Sequence, residues 1–221
     1  MLHIGILAHS ADGAALCFQE MVRESARRLG AHAHPEITLS ILPMGPTFAA
    51  YDKGDLAAVN VHLMRTCALD AARERYPLPG LHICDVVAER AKRDGRARVA
   101  LLGTRWTMGG PAYPAAFARA GLALQAPEPD ERAIVDRIIF EELCQGIISD
   151  AARAEYVRII ARMARDGCDA VALSCTEIPL LVTPEISPLP TLDSTRLLAR
   201  EAIGVALGAS EMPTWRGGSL E

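Results

Sequence analysis

The sequence predicts an α/β protein built as two pseudo-symmetric lobes, each a parallel sheet with helices on both faces. Three observations predict it. Short apolar runs alternate with stretches of helical periodicity, the pattern of βαβ units. The alternation starts afresh after Gly95, which implies two similar halves. And three apolar runs, "HIGILAHSADG", "ARVALLGT" and "DAVALSCTE", end in a small polar tip that feeds a helix or turn.

Taken in order, "HIGILA" reads as the first strand and "AALCFQEMVRESARRLG" as its helix, closed by a glycine. "EITLSIL" is the second strand. A helix is expected from about 53 to 74, because Leu56, Val59, Leu63 and Cys67 share one helical face. "GLHIC" then reads as a strand followed by the helix "DVVAERAKRDG". In the second half, the strand from Arg98 to Thr104 leads to a helix near 111–121, the edge-like "LALQAP", helices near 129–145 and 150–167, and the strand "DAVALS". The helix "STRLLAREAIGVAL" has Leu197, Leu198, Ala202 and Val205 spaced to pack onto a sheet. The expected first lobe is residues 1–95, completed by the helix at about 193–207, and the second is 96–190. The tail 208–221 loses apolar periodicity, and its end "GGSLE" reads as disordered or vector-derived.

Composition narrows the function. Half of the 221 residues are hydrophobic, enough for a sizeable core. The net charge of -4, the scattered arginines and an aromatic content of 5% argue against nucleic-acid binding. No apolar run approaches the roughly 18 residues of a membrane span, and the N-terminus does not resemble a signal peptide, so a cytoplasmic protein with no membrane partner is expected. The six cysteines are dispersed, without a C-x-x-C pair or clustered histidines, which signals neither a disulfide framework nor a metal site. There is no G-x-G-x-x-G and no P-loop.

The stretch "DAVALSCTEIPLL" poses the functional question. A buried strand stops at Ser174 and Cys175, and Thr176-Glu177 then reads as the first turn of a helix. Ligand sites in parallel sheets lie at the carboxyl ends of strands, and a helix N-terminus there stabilises a thiolate. A free cysteine is also a common small core residue.

Three segments, "LLGTRWTMGGPAYP", "FEELCQGIISDAARAEYVRIIARMARDGCDAVALSCTEIPLL" and "PTLDSTRLLAREA", together resemble the aspartate/glutamate racemase family over most of residues 1–207. The resemblance implies two lobes facing a cleft that holds the active site, no cofactor, and a cysteine from each lobe. One thiolate removes the Cα proton while the other thiol protonates the opposite face. Cys175 matches the second-lobe cysteine. The implied ligand is a small amino acid or dicarboxylate, and a homodimer is the expected assembly.

The first-lobe partner does not match. The family carries Asn-Thr-x-His at a strand end, usually preceded by the first cysteine. The only asparagine here is Asn60, in "AVNVHLMRTC", and it is not followed by that pattern. A strand and its loop, about two dozen residues, are expected to be missing, since a βαβ unit needs roughly 30. A shortened natural variant, a deletion, or a longer gene product would each account for this. The last would leave a spatial break between about Ala71 and Pro77.

The candidate site residues follow. Cys175 is the catalytic candidate. Thr104 and Thr107 in "GTRWT" are implied substrate binders by the resemblance. Thr176 is either a carboxylate donor or a helix cap. Ser10, in "AHSADG", is either a substrate-binding hydroxyl or an N-cap, and His9 beside it is a proton-donor candidate in place of the missing cysteine. Cys67 would be that cysteine only if "VNVHLM" were a strand. His82 could orient a substrate or be a satisfied strand histidine, with Cys84 on the same strand face. Tyr113 could extend the pocket or merely cover it. Glu177 reads chiefly as first-turn charge, with proton relay as the lesser reading. Three functions remain open: a cofactor-independent racemase, a single-cysteine decarboxylase of the arylmalonate type, and a non-catalytic carboxylate-binding protein.

Overall fold

The computed structural model describes residues 1–8, 11–41, 43, 45, 46, 49, 53 and 79–215. By its internal contacts the chain divides into one unit of Met1–His82 with Leu198–Glu221 and a second of Ile83–Leu197. The expected helix over 53–74, the Asn60 segment and the expected break between Ala71 and Pro77 lie outside the described residues.

In the first unit, β1 (Ile4–Ala8) pairs in parallel with β2 (Ile37–Ile41), in register from Ile4↔Ile37 to Ala8↔Ile41. The crossover is α1 (Ala11–Leu29), which buries Ala14, Cys17, Met21 and Ser25, a stripe at i, i+3, i+7 and i+11. Cys17 is thus a core residue, and burial pushes its thiol up to about 11.

The second unit is a four-stranded parallel sheet in the order β4-β3-β5-β6: β3 (Arg98–Leu102), β4 (Ala123–Gln125), β5 (Ala170–Leu173) and β6 (Thr191–Asp193). All of β5 and four of the five residues of β3 are buried, the continuous apolar reading of strands covered on both faces. The edge strand β4 has three residues, short enough to offer little unpaired backbone. Asp169 pins the start of this sheet: its carboxylate accepts from the amides of Ala97 (2.7 Å) and Arg98 (3.2 Å).

"GLHIC" is not a strand. Residues 79–82 carry no regular structure, and α2 (Ile83–Arg93) begins one residue after His82. Cys84, Val87, Ala88 and Ala91 recur at i, i+3, i+4 and i+7, so helical burial of that face prevails over a β reading of Leu81, Ile83 and Cys84. α2 therefore belongs with the second unit, earlier than the boundary expected near residue 95. Further helices are α3 (Arg105–Gly109), α4 (Ala112–Ala120), α5 (Pro129–Glu141), α6 (Asp150–Arg165), α7 (Ile178–Leu181) and α8 (Ser194–Ala206). Tyr156, Ile159, Ile160 and Met163 of α6 are fully buried at the same helical spacing.

α8 is shared between the units, the division falling after Leu197. Its most buried stripe is Thr195, Ala199, Ile203 and Ala206, whereas the expected face of Leu197, Leu198, Ala202 and Val205 is only half-buried. Leu197 packs on the core of the second unit and Ala202 on that of the first, so the stripe serves neither sheet alone. Among the described residues no helix is long and apolar enough to cross a membrane.

Leu101 is 1% exposed in the centre of β3. Truncating it to alanine should destabilise the second unit by about 2–5 kcal/mol. A lower denaturant midpoint for the signals of that unit would show it.

Candidate functional site

Because β3, β5 and β6 run in parallel, their carboxyl ends share one edge of the sheet, where Leu102 pairs with Leu173 and Leu173 with Asp193. The residues just beyond, Gly103-Thr104, Ser174-Cys175 and Ser194-Thr195, therefore come from three neighbouring strands. The Ser174 amide donates to the Leu102 carbonyl at 2.7 Å, carrying the ladder one step past β5.

Gly103 has a steric reason. A Cβ at that position would lie 2.8 Å from Thr107 Cγ2, closer than real contacts allow, and a tight 3.0 Å from the Ser174 carbonyl oxygen. Only glycine lets the two strand tips and the Thr107 side chain approach this closely. Thr104 is the N-cap of α3: its hydroxyl accepts from the Thr107 amide (3.3 Å) and lies 3.1 Å from the Thr107 hydroxyl. The two expected binders thus form a half-buried pair of hydroxyls beside the corner that carries Cys175.

Cys175 is half-buried, and its thiol donates to Glu177 Oε2 at 2.9 Å. Glu177 is itself 5% exposed. Burial is the largest cause raising the thiol far above its ordinary range, followed by the Glu177 charge and the hydrogen bond that Glu177 accepts. The Glu177 amide opposes this, but weakly. The expected thiolate-stabilising helix N-terminus is therefore corrected. α7 starts at Ile178 and has only four residues, so it offers little dipole, while a carboxylate faces the sulfur. The site thus sets the Cys175 thiol as donor against a buried Glu177 carboxyl group, which favours the protonated thiol. Thr176 stands half-buried in the turn between them.

Tyr113 is 5% exposed, with its ring 6.4 Å from that of Phe117, and it lies in the core of the second unit. Its hydroxyl lies near those of Ser174 and Ser194, and burial pushes it strongly upward. The Ser194 hydroxyl donates to the Leu173 carbonyl at 3.0 Å. Ser174 Oγ and Thr195 Oγ1 are buried without a hydrogen bond of ordinary geometry. His82 is not a strand residue: it precedes α2, with its ring edge-on to Trp215 at 5.0 Å. Cys84 and Cys168 are core residues, and Cys144 is exposed on the turn Leu143–Gln145. His9, Ser10 and Cys67 lie outside the described residues.

Glu177, expected chiefly as first-turn charge, is buried against Cys175, and Ser174 and Ser194 at the strand tips were not among the expected site residues. The available signal was the spacing in "SCTE": a turn two residues long folds a carboxylate back onto a thiol, where a helix would have pointed it to solvent.

The electrostatics predict a direction. Replacing Glu177 with glutamine removes the like charge and the anionic acceptor, so the Cys175 thiol should ionise at lower pH, with the burial contribution retained. The pH profile of iodoacetamide labelling at Cys175, followed by peptide mass spectrometry, should move to lower pH. A profile unchanged or moved upward would contradict this account. Gly103→Ala should displace Thr107 and alter the same profile while the sheet still folds.

Comparison with known proteins supplies a frame for these residues. A candidate Asp/Glu racemase from Yersinia pestis is 28% identical over 94% of this chain and 100% of its own, with a TM-score of 0.79. An aspartate racemase homologue from Pyrococcus horikoshii OT3 shares the fold at a TM-score of 0.73 and 24% identity, over 94% of this chain and 100% of its own. Glutamate racemase from Francisella tularensis, in complex with D-glutamate, aligns at 0.61 and 13% identity, over 95% of this chain and 84% of its own. The family model for Asp/Glu/hydantoin racemases matches residues 64–202, a span that takes in both the Gly103-Thr104 tip and the Cys175 corner. The chain belongs to the Asp/Glu/hydantoin racemase family.

Proposed function

We propose that this protein is a cofactor-independent racemase or epimerase of a small acidic or related amino acid, with Cys175 exchanging the Cα proton on one face. The observation that carries the reading is the Cys175 thiol hydrogen-bonded at 2.9 Å to the buried Glu177 carboxylate, at the carboxyl edge of a parallel sheet in a chain of this family.

The chemistry follows from the raised thiol. A Cα proton is weakly acidic, so a useful base must hold protons strongly, and a desolvated thiolate does so better than a solvated one. The cost is that few such thiolates exist at neutral pH. Glu177 offsets that cost. The S–H proton passes along the existing hydrogen bond to the carboxylate, leaving a thiolate beside a carboxylic acid with no change in the charge of the buried pair. The thiolate takes the Cα proton, and in the reverse direction the thiol returns one to the carbanion. Thr104 and Thr107 donate to the substrate carboxylate, whose charge grows as the carbanion delocalises into it. Thr176 is a further donor in this scheme. For the opposite face, His9 and Cys67 are the candidates, with Ser10 as a substrate-binding hydroxyl. The cytoplasm and a homodimer are the expected setting.

A second reading keeps Cys175 and changes the reaction. A neutral thiol is the species that one-face protonation after decarboxylation requires, and the Asn-Thr-x-His motif is absent from the sequence.

Incubating the protein with each enantiomer of aspartate and glutamate in D2O should give Cα deuterium incorporation together with racemisation. Cys175→Ala should lower both by about 10²–10⁴-fold, the usual worth of a positioned acid–base group. Stereospecific deuterium incorporation accompanying CO2 release from a malonate would instead establish the decarboxylase. Binding of these acids without any exchange would refute both catalytic readings.

A further inference from the structure

α3 is too short to hold itself. Its five residues close a single turn, in which the Met108 amide donates to the Thr104 carbonyl at 2.9 Å. One turn fixes several backbone angles for few hydrogen bonds, so its place has to come from tertiary contacts. Yet α3 carries Thr107, and its N-cap is Thr104, the hydroxyl pair proposed to donate to the substrate carboxylate. Whatever holds α3 therefore sets where these hydroxyls stand.

α5 supplies part of that hold. Asp136 and Phe140 lie four residues apart on it, one turn above the other, and they meet consecutive residues of α3. Asp136 Oδ1 accepts from the Arg105 amide at 2.7 Å. The Phe140 ring stands edge-on to Trp106, centroids 5.7 Å apart. Met108, buried in the core of the second unit, anchors the far end of the turn. Of these contacts, the Asp136 bond is the one that reaches the residue next to Thr104. The first amides of a helix have no acceptor within it, and here Thr104 takes the third and Asp136 the first. The Asp136 side chain is only 13% exposed, and an amide bonded to a carboxylate is of the stronger, charge-assisted kind.

The same carboxylate also faces the Arg105 guanidinium, at 3.7 Å. The Arg105 side chain is 60% exposed, its guanidinium carbon lying 4.6 Å from the centre of the Trp106 ring. An ion pair so open to solvent contributes little. The backbone bond is the stronger constraint on the turn.

We propose that Asp136 is a positioning residue: by taking up the Arg105 amide it sets the start of α3, and through it the place of the Thr104 and Thr107 hydroxyls beside the Cys175 corner. The proposal rests on the reading of those hydroxyls as carboxylate donors, and it gives Asp136 no contact with the substrate. Donors displaced by about 1 Å lose up to ~10²-fold in rate.

Three variants of the full chain separate the contributions. Asp136→Ala removes the acceptor, Asp136→Asn keeps an oxygen acceptor without the charge, and Arg105→Gln removes the ion pair while leaving the backbone amide. With aspartate and glutamate as substrates, Asp136→Ala should raise KM and lower kcat/KM by about ten- to a hundredfold. Asp136→Asn should recover most of that loss, and Arg105→Gln should stay near the parent. Amide hydrogen exchange reads the backbone directly: the peptide Arg105–Met108 should exchange about tenfold faster or more in Asp136→Ala, while β3 and β5 stay protected. Unchanged exchange there overturns the proposal, and so does a KM equal to the parent's. Equal damage in the Asn and Ala variants overturns it as well, since the charge and not the amide bond would then be the cause. If the parent racemises neither acid, the proposed reaction falls by itself, and the exchange result alone decides whether Asp136 holds α3. Should Asp136→Ala fail to fold, Asp136→Ser, whose shorter side chain withdraws the acceptor, takes its place in both measurements.

Discussion

Parallel pairing of β3 with β5, in register from Val99↔Ala170 to Leu102↔Leu173, is the constraint on which the rest of the second unit depends. The pairing is set at its amino end by the Asp169 carboxylate, which takes up the amides of Ala97 and Arg98. At its carboxyl end it delivers two strand tips side by side, with the Ser174 amide still bonded to the Leu102 carbonyl. A one-residue slip would invert the inward and outward faces of buried strands, so the register is held by the whole core and not by the site. The site inherits its precision from that core.

The close approach of the tips has its own requirement at Gly103, where any side chain would collide with Thr107 and crowd the Ser174 carbonyl. Behind the tips lies a second polar layer. Ser194 bonds to the last carbonyl of β5, and the Tyr113 hydroxyl sits near Ser174 and Ser194 inside an apolar core. Such groups are costly to bury, and they hold the start of α8 against the end of β5 in one arrangement. The corner that presents Cys175 is therefore rigid from behind.

The electrostatics of that corner are the reverse of a typical activated cysteine. Burial and a neighbouring carboxylate both favour the neutral thiol, where reactive thiols elsewhere are helped by positive potential. For a nucleophile this would be a defect. For a group that must remove and return a proton on carbon, a strongly basic thiolate narrows the energetic gap to a weak carbon acid, and a carboxylate within hydrogen-bond reach gives the proton somewhere to go. The pair Cys175–Glu177 is best regarded as one titrating unit shared by two residues.

Sequence alone determined the alternation of strands and helices, the parallel sheets and the family, and singled out Cys175 as a candidate, because these rest on periodicity and on short motifs within one segment. The place of Thr104 and Thr107, three residues apart just after a strand, was legible for the same reason. What only the tertiary structure decided depends on partners distant in the chain or on competition between local readings. "GLHIC" carries apolar residues that suit either a strand or a helix, and the packing of Cys84, Val87, Ala88 and Ala91 into the second unit chose the helix. Glu177 looked like solvated first-turn charge until the turn after Thr176 buried it against Cys175. Tyr113 went to the core because α4 packs on α2, and Trp215 found its partner more than a hundred residues away at His82. In each case a side chain's neighbours, and hence its dielectric and its charge state, were set by packing that no local pattern encodes.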